Sequence, residues 1–362
     1  MSTSSKLALA ICGLAAALAL AACGSGGGTE EVAKAPADPE EPATGSLRIF
    51  GYEDSIGPEI IGPFEEQNPD LNVETASFNS DAEAAAKLAG GFQADVIEIC
   101  MDEAPPLLEQ NLIRPLDTAG IAEWDNLTFH NAKGVRDGKD VFMMPVSAGF
   151  HGLIYNTEEI PEGVDSFADM YDPKFKGQVA IESDYPLPPI ATTALAIGIE
   201  DPMNMTPAEI EKVSDYMDEH RDQFRALTMT ESETVSLFKS GEVILADGDS
   251  NSTAKVLREN GVPAKSVAPK EGGLSWVCGW GLSSKEKNTD AAYRFLNYSA
   301  SPEALAVIGE VGFAVLNPKA MPLVPAADRA TADPAILEHA IPETHPPHYD
   351  LWTKALQEFQ TG

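Results

Sequence analysis

From Ser46 onward, short apolar strands alternate with helical stretches, and that alternation limits the fold more than any other feature of the chain. Ser46–Tyr52 reads as an alternating strand, and Pro58 opens a helix whose apolar face is Ile60, Ile61 and Phe64. Asn72–Phe78 predicts a strand, Ala82–Ala89 a helix, Ala94–Cys100 a strand and Pro105–Gln110 a proline-initiated helix. Phe142–Val146 and Gly152–Tyr155 add two separate strands. Gln178–Ile181 follows as a strand, Ile190–Ile197 as an apolar helix and Pro207–Ala226 as one long amphipathic helix. Thr234–Ser240 predicts a short helix and Val243–Ala246 a strand, with returning strands at Val267 and Leu274–Leu282. Thr289–Tyr298, Pro302–Gly309 and His348–Glu358 read as closing helices. Strands and helices in this order build α/β layers around a mainly parallel sheet. No fixed-period repeat is present, which excludes solenoids and propellers. At 362 residues the chain has room for two domains.

The N-terminal segment has a different character. Lys6 precedes an apolar run from Leu7 to Ala22, and Cys23 follows. A run of about 16 residues is shorter than the roughly 20 needed to cross a bilayer, so residues 1–23 read as a secretory signal. Leu20-Ala-Ala-Cys23 resembles the bacterial lipobox, which implies lipidation at Cys23. The expected location is the cell envelope, lipid-anchored, with the body in the periplasm or on the extracytoplasmic face. Residues 24–45 hold no aromatic side chain and predict a flexible acidic tether.

The formal net charge is −33, and residues 46–362 alone carry 22 Lys+Arg against 52 Asp+Glu. A chain of that sign is not built to grip phosphates, so a nucleic-acid partner is excluded. Two causes of the acidity stay open: a saline habitat, or a cationic ligand steered by charge. No G-x-S-x-G, H-E-x-x-H, P-loop or usable G-x-G-x-x-G motif occurs. His345-Pro-Pro-His348 reads as a surface loop, because zinc sites assemble three or four ligands. No catalytic residue, metal or cofactor is assigned, and an enzyme is not expected.

Several phrases together resemble the bacterial extracellular solute-binding proteins of the spermidine/putrescine class. They are Leu47–Tyr52 leading into Phe64-Glu-Glu-Gln-Asn-Pro, and Ala94-Asp-Val-Ile followed by Leu112-Ile-Arg-Pro-Leu. Next come Gly152-Leu-Ile-Tyr-Asn156, Ser166-Phe-Ala-Asp-Met-Tyr-Asp-Pro-Lys-Phe-Lys-Gly177 and Pro269-Lys-Glu-Gly-Gly-Leu-Ser-Trp276. The resemblance covers about residues 46–320. It implies a two-lobed periplasmic-binding-protein fold, type II-like, with mainly parallel sheets flanked by helices and a ligand cleft between the lobes. Lobe 1 is expected at 46–149 plus 283–325 and lobe 2 at 150–282, with residues 326–362 packing back on them.

The family stacks an aliphatic chain on aromatic rings and pairs its ammonium groups with carboxylates, chemistry suited to amines. Tyr52 falls at a family aromatic, followed by Glu53 and Asp54; Asp184 falls at an amine-binding acid, although Leu187 replaces its partner. Trp276 matches a wall tryptophan, Asp102 stands near a family aromatic position, and Cys278 replaces an ammonium-binding aspartate. Asp247, Asp249, Trp280 and Cys100 complete the expected ligand-binding set; Trp276 and Trp280 read equally well as core residues. The resemblance puts Cys100 and Cys278 on opposite sides of one cleft, where a bridge needs Cα atoms within about 7 Å and would pin the lobes. Three readings stand: inert thiols, which fits free cysteine acting as a small hydrophobe, a lock, or a soft-metal or thiol-ligand site near Met101.

The expected function is a substrate-binding lipoprotein of an ABC importer, acting as a monomer. It would capture a small polyamine-like cation and deliver it to a membrane permease. The alternatives are a binding protein for another solute, such as a metal ion or a non-amine, a lipid-anchored hydrolase, or a sensor partner.

Overall fold

The computed structural model describes residues 32–36 and 42–362; the signal, Cys23 and the rest of the tether lie outside the described residues. The first strands are β1 (Gly45–Gly51), β2 (Leu71–Ser77), β3 (Val96–Cys100) and the short β4 (Ile113–Arg114). Helices α1 (Pro58–Gln67), α2 (Asp81–Ala89) and α3 (Ala104–Glu109) alternate with them. α1 starts at Pro58, whose missing N–H would have no helical acceptor, and it buries Ile60, Ile61 and Phe64. The Ser80 side chain caps α2 by accepting from the Glu83 N–H.

A two-stranded ribbon, β5 (Arg136–Asp137) and β6 (Asp140–Val141), leads into β7 (Met144–Asn156). β7 is one continuous strand of 13 residues where the sequence predicts two short ones. Gly149 and His151 break its apolar run, but neighbours on both flanks keep the backbone extended throughout. The chain continues through β8 (Val179–Glu182), α4 (Leu187–Ala196) and α5 (Pro207–Glu219).

α5 ends earlier than predicted. Its buried stripe is Ile210, Val213 and Met217, and the next positions on that face are His220 and Arg221, so nothing apolar extends it. The remaining residues form β9 (Phe224–Thr228), which pairs in parallel with β8. Then come α6 (Glu231–Ser240), β10 (Leu245–Asp249), α7 (Ser250–Glu259), β11 (Ala264–Val267) and β12 (Leu274–Ser283). Helices α8 (Thr289–Ala300) and α9 (Pro302–Val311) precede β13 (Ala314–Val315) and β14 (Ile341–Pro342), and a C-terminal helix spans Tyr349–Thr361.

The strand order is β2-β1-β3-β12-β7-β10-β8-β9. β2, β1 and β3 are mutually parallel, as are β10, β8 and β9. The two parallel sets are joined by the long antiparallel pair β12–β7. This gives the two-lobed α/β fold with a crossing-strand connection. One apolar core draws on residues 33–150 and 277–337, including Phe50, Phe64, Tyr293 and Phe295. A second draws on residues 153–274 and takes in Trp352, Leu356 and Phe359 of the C-terminal helix.

Two stretches of the expected tether are docked on the body. Ala33 is buried, bridges to Leu116 and accepts from the Tyr293 hydroxyl at 2.8 Å. Ala43 is buried and its N–H donates to Asn68 Oδ1 at 3.1 Å. Composition missed this because backbone groups and alanine methyls, not large apolar side chains, make the contacts. Among the described residues no helix is long and apolar enough to cross a membrane.

Candidate functional site

The crossing strands bring His151 to the centre of the molecule. On β7 it is flanked in register by Leu274 of β12 on one side and Asp249 of β10 on the other. The imidazole is buried, with Nδ1 2.7 Å from Glu343 Oε1 and Nε2 3.4 Å from Glu182 Oε2. Glu343 follows β14, and its N–H donates to the Ser275 carbonyl, which stitches the C-terminal segment to β12. The Tyr185 hydroxyl donates to Glu343 Oε2 at 3.4 Å. Burial alone would lower the basicity of an imidazole. The Glu343 and Glu182 carboxylates outweigh it and hold His151 well above its ordinary value.

Carboxylates from loops on both sides of the crossing converge on this imidazole. Burial pushes Asp184 up to about 7, Asp249 to about 8 and Asp247 to about 6. Asp102 is raised well above the carboxylate range by burial, then by Glu343 and Glu103. Glu182 is raised likewise, with burial foremost and Asp184, Asp247 and Asp249 adding to it. Asp54 rises to about 6 through burial and then through Glu231. Asp54 and Glu231 keep accessible surface although protein surrounds them, the situation of a carboxylate on a cleft wall. Asp249 Oδ1 is shut off from water and has no hydrogen-bond partner.

Buried carboxylates without counter-charges are strongly disfavoured, so without a cation they hold protons instead. Among the described residues, neither Asp54, Asp102, Asp184, Asp249 nor Glu231 takes part in a side-chain ion pair with Lys, Arg or His. The arrangement is a largely buried acidic cluster with His151 as its one cationic partner among the described ion pairs.

Two of the expected aromatic residues are only half-buried. Tyr52 is half-buried and meets Phe78 edge-on at 4.6 Å. Trp276 is half-buried, meets Phe313 at 5.3 Å, and lies over Gly149, where an added Cβ would sit 2.4 Å from its ring. Glu98, buried on β3 and raised to about 8 by burial, then by Asp54, accepts from the Tyr52 N–H at 2.9 Å and the Ser55 hydroxyl at 2.8 Å. It thereby holds the turn that carries Tyr52, Glu53 and Asp54. Glu53 itself is exposed.

Other expectations change. Trp280 packs inside the first core, 5.1 Å from Phe295 and against Gly51, so it belongs to the interior. Asp247 accepts from the Glu182 N–H at 2.8 Å and the Thr192 hydroxyl at 3.1 Å, which uses both oxygens to brace β8 and α4.

Cys100 and Cys278 are disulfide-bonded, so they are neither inert thiols nor metal ligands. They do not face each other across the cleft. β3 and β12 are adjacent antiparallel strands, and the two residues are directly opposed with Cα atoms 4.0 Å apart. The flanking bond from Met101 N–H to the Val277 carbonyl marks this as a non-hydrogen-bonded pair, the narrower cross-strand spacing. The bridge therefore staples two neighbouring strands that both contribute to the first apolar core.

Of the expected residues, Asp102, Asp184 and Asp249 interact electrostatically with His151, and Asp54 with Glu231 and Asp249. The sequence reading missed His151, Glu182, Glu231 and Glu343. It also missed His345, which is half-buried, stacks near Tyr349 at 4.6 Å and donates from Nδ1 to the Asp102 carbonyl. The Tyr349 hydroxyl donates to Glu103 Oε1 at 2.9 Å, closing this wall. For His151 and Glu182 the only sequence signal was a polar side chain in or beside an apolar run, and Glu231, Glu343 and His345 sit in polar stretches that gave none.

The comparisons with known proteins agree with this architecture. The family model for bacterial extracellular solute-binding proteins matches residues 59–337. The putrescine-binding periplasmic protein PotF of Escherichia coli (strain K12) is 28% identical over 309 residues, covering 78% of this chain and 81% of that protein. Spermidine/putrescine-binding periplasmic protein 1 of Haemophilus influenzae is 24% identical over 331 residues, covering 90% and 88%. The crystal structure of the spermidine/putrescine ABC transporter substrate-binding protein PotD from Streptococcus pneumoniae superposes with a TM-score of 0.72 at 21% identity, covering 88% of this chain and 98% of that one. With the model spanning most of the described body and the fold in agreement, the chain belongs to the family of bacterial extracellular solute-binding proteins.

Proposed function

We propose that this protein captures a small organic polycation of the polyamine class between its lobes and delivers it to the membrane permease of an ABC importer. The observation that carries the reading is the convergence of Asp54, Asp102, Asp184, Asp249 and Glu231 on a site with no Lys or Arg among its described ion pairs. Trp276 and Tyr52 supply apolar faces for methylenes and cation–π contact for the nitrogens. The relatives whose names carry putrescine or spermidine supply independent support. No catalytic role is assigned to any residue. Among the described residues no cluster of His, Cys, Asp and Glu is arranged to hold a metal ion, which gives the metal alternative no support.

Lobe 1 is assigned to residues 46–149 plus 283–325, lobe 2 to 150–282, and the tail 326–362 to packing on the lobes. The apolar cores support a division near residue 150 but put the second boundary earlier, since Val277, Trp280 and Leu282 pack in the first core. Closure would bring the Asp54 loop and the Asp249 strand end onto one ligand, which stabilises the closed state through contacts from both sides. Lipidation at Cys23 would hold the body at the membrane, near the permease.

A thermal-shift screen of the purified protein against polyamines, other organic cations, amino acids and divalent metals tests the reading. A ligand at a thousandfold excess over its Kd stabilises by about 4 kcal/mol. A shift with putrescine or spermidine supports the proposal; a shift only with amino acids or metals overturns the ligand class.

A further inference from the structure

We infer that the His151 imidazolium occupies the place of one ligand ammonium within the carboxylate cluster, so that the cleft selects a diamine over a triamine. The inference rests on the polyamine reading above and deepens it. His151 is carried on the crossing strand β7, with its two ring nitrogens directed at Glu343 and Glu182 at 2.7 and 3.4 Å. It is a cation built into the protein, in the part of the site where the carboxylates are most crowded.

The acids it does not neutralise fall into two groups. Asp54, Glu231 and the unpartnered Oδ1 of Asp249 form one; Asp54 acts electrostatically on Asp249, and Glu231 acts on both. Asp102 and Asp184 form the second, each raised by Glu343. The imidazole acts on members of both groups, on Asp249 as well as on Asp102 and Asp184, and so stands between them. Each group can receive one terminal ammonium. The middle ammonium of a triamine would meet the imidazolium, and like charges in a weakly screened interior repel.

The test is titration calorimetry of the intact protein and its His151→Gln variant with putrescine and with spermidine. The wild type should bind the diamine more tightly. The variant frees Glu182 and Glu343 for a middle ammonium and should move the spermidine-to-putrescine affinity ratio toward the triamine by about tenfold or more. A wild type that prefers spermidine, or a ratio unchanged by the substitution, overturns this inference and leaves the polyamine reading standing. A wild type that binds neither amine overturns both. If His151→Gln does not fold, the wild-type complex with putrescine still decides through the ¹⁵N resonances of the imidazole. Two protonated nitrogens support the inference, and a neutral ring overturns it.

Discussion

His151 Nδ1 and Glu343 Oε1 lie 2.7 Å apart although 192 residues separate them in the chain. The pair ties the crossing strand β7 to the segment that follows β14, which pairs with β12. Both side chains are buried, so removing Glu343 leaves His151 with only the longer Glu182 contact. Breaking a buried pair in this way typically destabilises by about 3–5 kcal/mol. Glu343→Ala should lower unfolding stability by that amount in a urea titration. A change below about 1 kcal/mol, the level of an exposed pair, would mean that the contact is not maintained in solution.

The pH dependence of the ligand-free protein should run downward from pH 5 to pH 8. Asp249 and Glu98 are raised to about 8, Asp184 to about 7, and Asp54 and Asp247 to about 6, against ordinary carboxylate values of 3.8 and 4.5. Between the unfolded and folded values the folded chain binds more protons, so stability falls as pH rises. His151, also raised, has the same sign: its contribution is complete below the unfolded imidazole value and is lost as pH climbs through the folded one. Asp95, lowered by its Arg48 contacts against the opposing effect of burial, acts oppositely, but its window lies below the ordinary carboxylate value. A bound amine replaces the protons, so its stabilising effect should grow over the same interval. Melting curves from pH 5 to pH 8 with and without putrescine check this, and a ligand-free Tm that rises over that range contradicts it.

Most strands and helices were legible because their apolar residues recur with the period of the element they form. β9 was not: Phe224–Thr228 follows a helix without a glycine or proline to announce the change, and only the exhausted stripe of α5 marks it. Asp54 and Asp184 were singled out because each follows a strand, and Asp249 because it closes one, where the resemblance puts the binding loops. His151 and Glu343 could not. Their meaning comes from a strand crossing and a chain return that leave no periodic trace. The disulfide stood as one of three readings, but its place on adjacent strands was not legible for a related reason, since β3 and β12 become neighbours only when a late segment inserts beside an early one.

That inserted strand makes the Cys100–Cys278 bridge a long-range constraint, with 178 residues between its ends. Bridges closing long loops restrict the unfolded chain most, and loss of a native one typically destabilises by about 2–5 kcal/mol. The double variant Cys100→Ala/Cys278→Ala should therefore show a lower urea midpoint by that margin. Because neither cysteine carries a free thiol, the variant should keep its affinity for putrescine within about threefold, or roughly 0.7 kcal/mol. A larger loss of affinity at unchanged stability would return the sulfur atoms to the ligand site.

Gly149 and Trp276 provide a separate probe of the cleft wall. They are paired across β7 and β12, and the indole lies where the Gly149 side chain would be. An added Cβ at 2.4 Å is well inside van der Waals contact, so Gly149→Ala must turn the indole away from its seat beside Phe313. Both residues sit on strands held by neighbours on either side, so the displacement falls on the ring more readily than on the backbone. If Trp276 forms an apolar face of the ligand site, the substitution should weaken putrescine binding by about tenfold, equivalent to roughly 1.4 kcal/mol. Trp276→Phe, which retains an aromatic face, should lose less. Ligand titrations followed by tryptophan fluorescence distinguish the cases, with Trp276→Phe removing the part of the signal that belongs to this ring. Unchanged affinity in both variants would assign Trp276 to packing against Phe313 alone.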